Sequence, residues 1–289
     1  MPTISNDHLT VSIQEKGAEL TSIYNKQTGL EYMWNADPAF WAKTSPILFP
    51  IVGTLKDDTY FYKGKSYSLS RHGFARDMNF TVSTLESDTI TFTLVSNEAT
   101  KTKYPFDFRF DIIYTVTDTT LAVTYKVINT GNGKMYFSVG GHPAFKVPLA
   151  EGTHYNDYYL NFNKEETAGR WPISKEGLIE KNSIPLLTDT NTLPLTKELF
   201  AKDALVFKSL NSTSVSLVSS ATTHGFAFDY TGFPFLGIWA AKNADFICIE
   251  PWCGIADSVD ADQELIHKEG INELEQGAIF KKEWKVRVW

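Results

Sequence analysis

The segment Asp245-Phe246-Ile247-Cys248-Ile249-Glu250-Pro251-Trp252 sets a carboxylate at the end of an apolar run. In an extended strand, Phe246, Cys248 and Glu250 share one face while Ile247 and Ile249 share the other. Both faces are apolar, so the strand is expected to be buried on both sides. Pro251 is expected to end it, because proline cannot extend a hydrogen-bonded ladder. A carboxylate in such surroundings needs donors or a raised pKa, and either suits Glu250 to act as a general base in a pocket. The alternative is a Glu at a solvated strand end, paired with a lysine.

A second group is Ser138-Val139-Gly140-Gly141-His142-Pro143-Ala144-Phe145. The two glycines admit a close backbone or ligand, and Pro143 holds His142 extended. An imidazole presented stiffly at a strand end suits proton donation near neutral pH; a core His bonded to a carbonyl is the competing reading. The third group, Ser70-Arg71-His72-Gly73-Phe74-Ala75-Arg76-Asp77, concentrates donors in a tight turn and points to an anion or polyhydroxyl contact, although a solvated turn has the same composition. His72, His142 and Glu250 have the donor types of a facial metal triad, but no His-x-His or His-x-x-x-His pair supports it, and no metal is expected. The other histidines, His8, His154, His224 and His267, lie in polar segments without catalytic partners. No Gly-x-Ser-x-Gly elbow, phosphate loop or dinucleotide fingerprint is present, which removes the usual supports of serine hydrolysis, nucleotide chemistry and hydride transfer.

The elements that must position these residues are strands. Leu9-Thr10-Val11-Ser12-Ile13 alternates as a half-buried strand does. Tyr60 to Tyr62 and Tyr67 to Leu69 flank Lys63-Gly64-Lys65 as a hairpin. Further pairs are Asn79 to Thr84 with Thr89 to Leu94, and Phe106 to Val116 with Leu121 to Ile128. Met135 to Gly140, Ala204 to Phe207, Val215 to Val218, Phe226 to Tyr230, Leu236 to Ala240 and Ile279 to Trp289 complete the pattern. Helical periodicity is confined to short pieces near Pro38 to Trp41 and Thr196 to Lys202. Pro148 to Leu195, with Pro172, Pro185 and Pro194, reads as long irregular loops that either wall a cleft or form covering excursions. No linker or repeat divides the 289 residues. The expectation is one all-β domain over 1–289, a large antiparallel β-sandwich.

Composition narrows the function. Lys plus Arg number 27 against 34 Asp plus Glu, a net charge of −7 with only five Arg, so a nucleic-acid partner is not expected. Aromatics make up 14% of the chain, which favours strands and offers flat faces for sugar rings. No stretch approaches the roughly 20 apolar residues of a membrane span, and the N-terminus lacks the pattern of a secretory signal. Cys248 and Cys253 are expected to be free thiols, consistent with a cytoplasmic protein.

The order of segments resembles the aldose 1-epimerase (galactose mutarotase-like) superfamily, in its LacX-type branch. The resemblance is carried by Leu48-Phe49-Pro50-Ile51-Val52-Gly53, His72-Gly73-Phe74-Ala75-Arg76-Asp77, Tyr104-Pro105-Phe106 and Gly141-His142-Pro143-Ala144-Phe145. It continues through Phe200-x-x-Asp203, Leu236-Gly237-Ile238-Trp239 and Ile249-Glu250-Pro251-Trp252-x-Gly254-Ile255-Ala256-Asp257. It implies interconversion of the α and β anomers of an aldose, with no cofactor. By that likeness Glu250 is the base at the C1 hydroxyl and His142 the acid at the ring oxygen. His72 and Asp203 are implied to bind the sugar, with Arg76 a substrate or site-shaping contact. Trp252 and Trp239 offer stacking faces, a core role being the stronger alternative for Trp239. Thr54 stands where the family pattern has an Arg after Gly53, and Lys56 is the nearest substitute. Arg71, Arg76 and Lys56 together could receive a sugar phosphate. The implied partner is therefore a hexose or hexose phosphate, bound where Glu250 and His142 converge from opposite sides of one hollow.

Overall fold

The computed structural model describes residues 1–289, and strands dominate it. Alternation at period two builds the larger sheet: Thr120–Asn129 reads intermediate-buried throughout its ten residues. That sheet has nine antiparallel strands in the order Ile184–Pro194, Tyr158–Arg170, Ser214–Ser219, Phe226–Asp229, Ile279–Val288, Thr120–Asn129, Phe108–Thr117, Thr89–Val95 and Thr81–Leu85. A six-stranded sheet runs Leu205–Phe207, Phe235–Trp239, Phe246–Cys253, Val139–Gly141 and Ile47–Leu48, with Ala144–Lys146 also paired to Phe246–Cys253. A four-stranded sheet holds Thr3–Ser5, Leu9–Gln14, Glu19–Asn25 and Leu30–Glu31.

The two larger sheets meet through aromatic side chains. Phe145 packs on Phe226 with ring centroids 4.3 Å apart, and Phe49 stacks on Phe110 at 4.6 Å. Trp284 is fully buried, donates its indole N–H to the Tyr125 hydroxyl at 2.8 Å and stacks on Phe228. Gly141 lies against that pair: a Cβ on it would sit 2.4 Å from the Tyr125 hydroxyl, so the strand carrying the site can press onto the larger sheet only as glycine.

Two expectations are corrected. The stretch from Pro148 to Leu195 is not all loop, since Tyr158–Arg170 and Ile184–Pro194 pair with each other at the sheet edge. An edge strand tolerates Pro185 and Pro194, which need no ladder partner on the open side, and three register shifts hide the alternation. Nor does Pro251 end its strand, which continues through Cys253. The ladder on one side is interrupted between the Gly140–Trp252 and Ala144–Cys248 pairs, where Pro251 lies, and pairing with Phe235–Trp239 on the other side carries the strand on. The expected helices reduce to a turn closed on the Asp37 carbonyl and a 3₁₀ turn over Lys197–Phe200.

All eight residues of Phe246–Cys253 are buried, as apolar faces on both sides require. On one face the Trp252 indole lies over two glycines. A Cβ on Gly140 would fall 2.7 Å from its ring, and one on Gly237 2.5 Å. Gly237→Ala should therefore destabilise the fold by about 1–3 kcal/mol through overpacking, and shift Trp252. Denaturant unfolding and tryptophan fluorescence check this, and an unchanged midpoint with an unchanged spectrum contradicts it.

Candidate active site

The register of the central strands brings the two proton-transfer residues together. Gly140 pairs with Trp252 and Ala144 with Cys248, so His142, in the break between them, lies opposite Glu250. Cross-strand neighbours share a face. His142 Nε2 stands 3.2 Å from Glu250 Oε2. The expectation of opposite sides of a hollow is thus corrected: the pair is in direct contact on one wall. That wall belongs to a cavity of about 480 Å³, within the range of small-molecule sites.

Loops at the sheet ends complete the cavity. His72, Arg71 and Arg76 enter from the turn after Leu69, Asp203 and Ala204 from the residues before Leu205–Phe207, and Ile173, Gly177 and Ile179 from the connection between the edge strands. Trp41, Trp239 and Trp252 line it with aromatic surface, and Lys43 adds a third cation to Arg71 and Arg76. Every expected site residue, Glu250, His142, His72, Asp203, Arg76 and Trp252, lines this cavity. Lys56 does not; its ammonium donates to the Ala261 carbonyl, so it replaces no sugar-contacting Arg. Trp239, for which a core role was the stronger expectation, is half-buried and faces the cavity.

The turn that carries His72 is held in an unusual conformation. His72 has φ of +69° and Gly73 +71°; an L-residue there costs on the order of 1 kcal/mol. Backbone bonds hold it, with His72 N–H donating to the Gly53 carbonyl at 2.8 Å. In return Gly53 N–H donates to His72 Nδ1 at 3.0 Å. An accepting Nδ1 is unprotonated, so neutral His72 carries its proton on Nε2 and is a hydrogen-bond donor. Burial, with His142, Arg71 and Arg76 nearby, holds His72 well below the usual imidazole range and keeps it neutral. Asp203, also at positive φ, binds the Ala204 N–H through Oδ1 at 2.7 Å. Arg76 is fixed by donation to the Arg71 carbonyl at 2.8 Å.

Burial dominates the electrostatics of the pair. It pushes the Glu250 carboxyl well above the usual carboxylate range, against the pull of the Arg71 charge. It pushes the His142 imidazole down to about 3, and Arg71 and Arg76 also disfavour the imidazolium. Acid and base do not sit in unlike environments; both groups occupy one low-dielectric wall. Burial disfavours charge on both groups, so the pair is set to share a proton along the contact that joins them. The Trp252 indole N–H is near enough to favour the Glu250 carboxylate, yet it has no well-aligned acceptor in the protein. His142 Nδ1 is likewise buried without a partner.

Three donor atoms suited to a cation lie within 4.8 Å of one another, on His142, Cys248 and Glu250. This set differs from the triad considered in the sequence, because Cys248 stands in place of His72. Burial pushes the Cys248 thiol well above its usual range, so the sulfur is held as thiol. Both cysteines are free, and no helix is long and apolar enough to cross a membrane.

Comparison with known proteins bears on what such a site does. Residues 2–268 match the family described as aldose 1-epimerase. Among curated proteins, the chromosomal LacX protein of Lactococcus lactis subsp. lactis is 33% identical over 294 residues, spanning 99% of this chain and 98% of the relative. The plasmid-borne LacX protein matches to the same extent. Among solved structures, a galactose mutarotase related enzyme from Lactobacillus acidophilus shares 37% identity with a TM-score of 0.95, covering 100% of this chain and 97% of that one. A galactose mutarotase-like protein from Lactobacillus casei shares 34% identity with a TM-score of 0.92, each chain covered in full. The match takes in nearly all of the strands described above, and the cavity with Glu250 and His142 on its wall is that of a chain belonging to the aldose 1-epimerase family.

Proposed function

We propose that this protein is an aldose 1-epimerase that opens and recloses the ring of a hexose, so that its α and β anomers exchange. The observation that carries the reading is the 3.2 Å contact between Glu250 and His142 at the wall of a monosaccharide-sized cavity. The C1 hydroxyl and the ring oxygen of an aldose are attached to one carbon. An acid and a base in direct contact can therefore address both.

The proton count closes. Passage of the Glu250 proton to His142 creates carboxylate and imidazolium. Glu250 then takes the proton of the C1 hydroxyl while His142 gives one to the ring oxygen, and the C1–ring oxygen bond breaks to leave the open-chain aldehyde. Rotation about C1–C2 and closure with the roles reversed deliver the other anomer and restore both groups. No electrons are lost or gained by the sugar, so the residues present suffice for the step as written. His72, as an Nε2–H donor, and Asp203 hold sugar oxygens, and Trp252 offers a face to the ring. Asp203→Asn should raise KM by roughly 10-fold or more with a smaller effect on kcat, as the loss of a charge-assisted hydrogen bond implies. Progress curves by polarimetry check it, and a fall in kcat alone contradicts the binding role.

A second reading, in which the sugar carries a 6-phosphate, is favoured by the three cations Lys43, Arg71 and Arg76 that line the cavity. The buried cluster of 70 residues that runs from Ile4 to Val288 supports a single domain over 1–289, and two free, buried cysteines support a cytoplasmic setting. The test is anomer exchange with freshly dissolved α-glucose, α-galactose and glucose 6-phosphate, followed by polarimetry, alongside tryptophan fluorescence for binding. Acceleration with one of them is expected. Fluorescence-detected binding with no acceleration for any would make the protein a carbohydrate binder and not an epimerase.

A further inference from the structure

We propose that Trp41 is a positioning residue: its indole holds the His142 imidazole in the plane needed for proton transfer and favours the protonated ring. This rests on the acid role given to His142 above.

The 3.2 Å contact with Glu250 fixes one nitrogen of His142 but leaves the ring free to turn about that contact. Trp41 removes this freedom. Its ring centroid lies 4.9 Å from that of His142 at an interplanar angle of 31°. Trp41 also stacks on Phe246 at 5.6 Å and 29°. Phe246, Cys248 and Glu250 share a strand face, so the stack is tied to the strand that carries the base. Trp239 meets His142 edge-on at 5.6 Å and 84°, and His72 does so at 5.8 Å and 87°. Trp41 thus supplies the one aromatic face on His142 among three ring neighbours.

The segment that brings Trp41 there is anchored at both ends. The Trp34 indole N–H donates to the Trp41 carbonyl at 2.9 Å, and Trp41 N–H donates to the Asp37 carbonyl at 2.9 Å. Downstream, the buried carboxylate of Glu19 accepts from Thr44 N–H and Ser45 N–H at 2.7 and 3.0 Å. His142 N–H then bonds the Pro46 carbonyl at 3.1 Å. One short stretch therefore places both the indole and the backbone of the residue it stacks on.

The electrostatic part follows from charge. Burial, Arg71 and Arg76 all oppose an imidazolium at His142, and Lys43 adds a further cation to the same cavity. Glu250 is the compensating charge in contact, Asp203 lines the same cavity, and His72 and Cys248 are held neutral. The negative face of an indole stabilises a cation lying over it. Trp41 offers that face where the proton must reside during ring opening.

The test uses the full-length protein with Trp41→Leu, which fills space without a π face, and Trp41→Phe, which keeps one. Trp41→Leu should lower kcat by about 2- to 30-fold, the range of a cation–π contact, with KM changed less. The alkaline limb of its pH–kcat profile should move to lower pH. Trp41→Phe should restore most of both. In parallel, NMR of the histidine-labelled protein, with the His142 signals assigned by His142→Asn, should show ring-shifted His142 resonances that move in Trp41→Leu, and a ring that takes up its proton at lower pH. A kcat and profile unchanged in Trp41→Leu, or His142 resonances unmoved, would overturn the inference. If the wild type catalyses no exchange, the functional reading fails while the NMR arm still decides the role of Trp41.

Discussion

Glu250→Gln should slow anomer exchange by about 10²- to 10⁴-fold, the contribution typical of one positioned general base. The amide is isosteric with the carboxyl and keeps an oxygen and an NH₂ to face His142 and Trp252, so the wall of the cavity retains its shape. What it cannot do is accept the proton of a C1 hydroxyl. Sugar binding, read by tryptophan fluorescence, should change little, because the carboxylate is asked to act on the transition state. The variant should be no less stable than the wild type. Glu250 is only 2% exposed and burial disfavours its charged form, so replacing it with a neutral group of the same shape removes a desolvation cost. A melting temperature clearly below wild type would mean that the lost activity reports misfolding. A variant that is folded and still fast would remove Glu250 from the chemistry.

His142→Asn is the second large effect. It should cost about 10²- to 10⁴-fold in kcat on the same grounds, since an amide neither carries the Glu250 proton nor delivers one to the ring oxygen. The two losses should not add. In the double variant Glu250→Gln/His142→Asn the rate should fall little below that of the slower single variant, because the residues act as one proton-passing unit across a 3.2 Å contact. Independent roles would instead give a product of the two losses. Rates at constant pH for all four proteins settle which holds.

Much of this was legible from residue order. The alternation of Phe246, Cys248 and Glu250 with apolar neighbours, and the stiff Gly140-Gly141-His142-Pro143 element, identify the two catalytic candidates. They do not disclose that register sets those residues opposite one another, because pairing between strands more than a hundred residues apart leaves no local pattern. The same limit hid the contact that replaced two opposed walls. Pro251 misled because the ladder on one side is interrupted where it lies, while pairing with Phe235–Trp239 on the other carries the strand on. Pro185 and Pro194 misled for a related reason, lying on an edge strand beside irregular register. Trp41 ends a short piece read as helical, Lys43 follows it without any periodicity, and Arg71 stood out only as one cation among several. The approach of Trp41 and Lys43 to the cavity is decided by the Glu19 and Trp34 anchors, a tertiary matter. Trp239 reads as core because it ends an apolar strand, yet a strand's end is where a sheet opens onto its loops.

The most direct test of the account is two-dimensional exchange NMR on equilibrium mixtures of glucose, galactose and their 6-phosphates, with wild type and Glu250→Gln at matched concentration. For at least one sugar, wild type should produce α–β exchange cross-peaks absent from buffer, and Glu250→Gln should leave the spectrum as in buffer while still broadening the sugar lines. Broadened lines with no enhanced exchange for any of the sugars under wild type, or cross-peaks of equal strength under both proteins, would contradict acid–base ring opening by this pair.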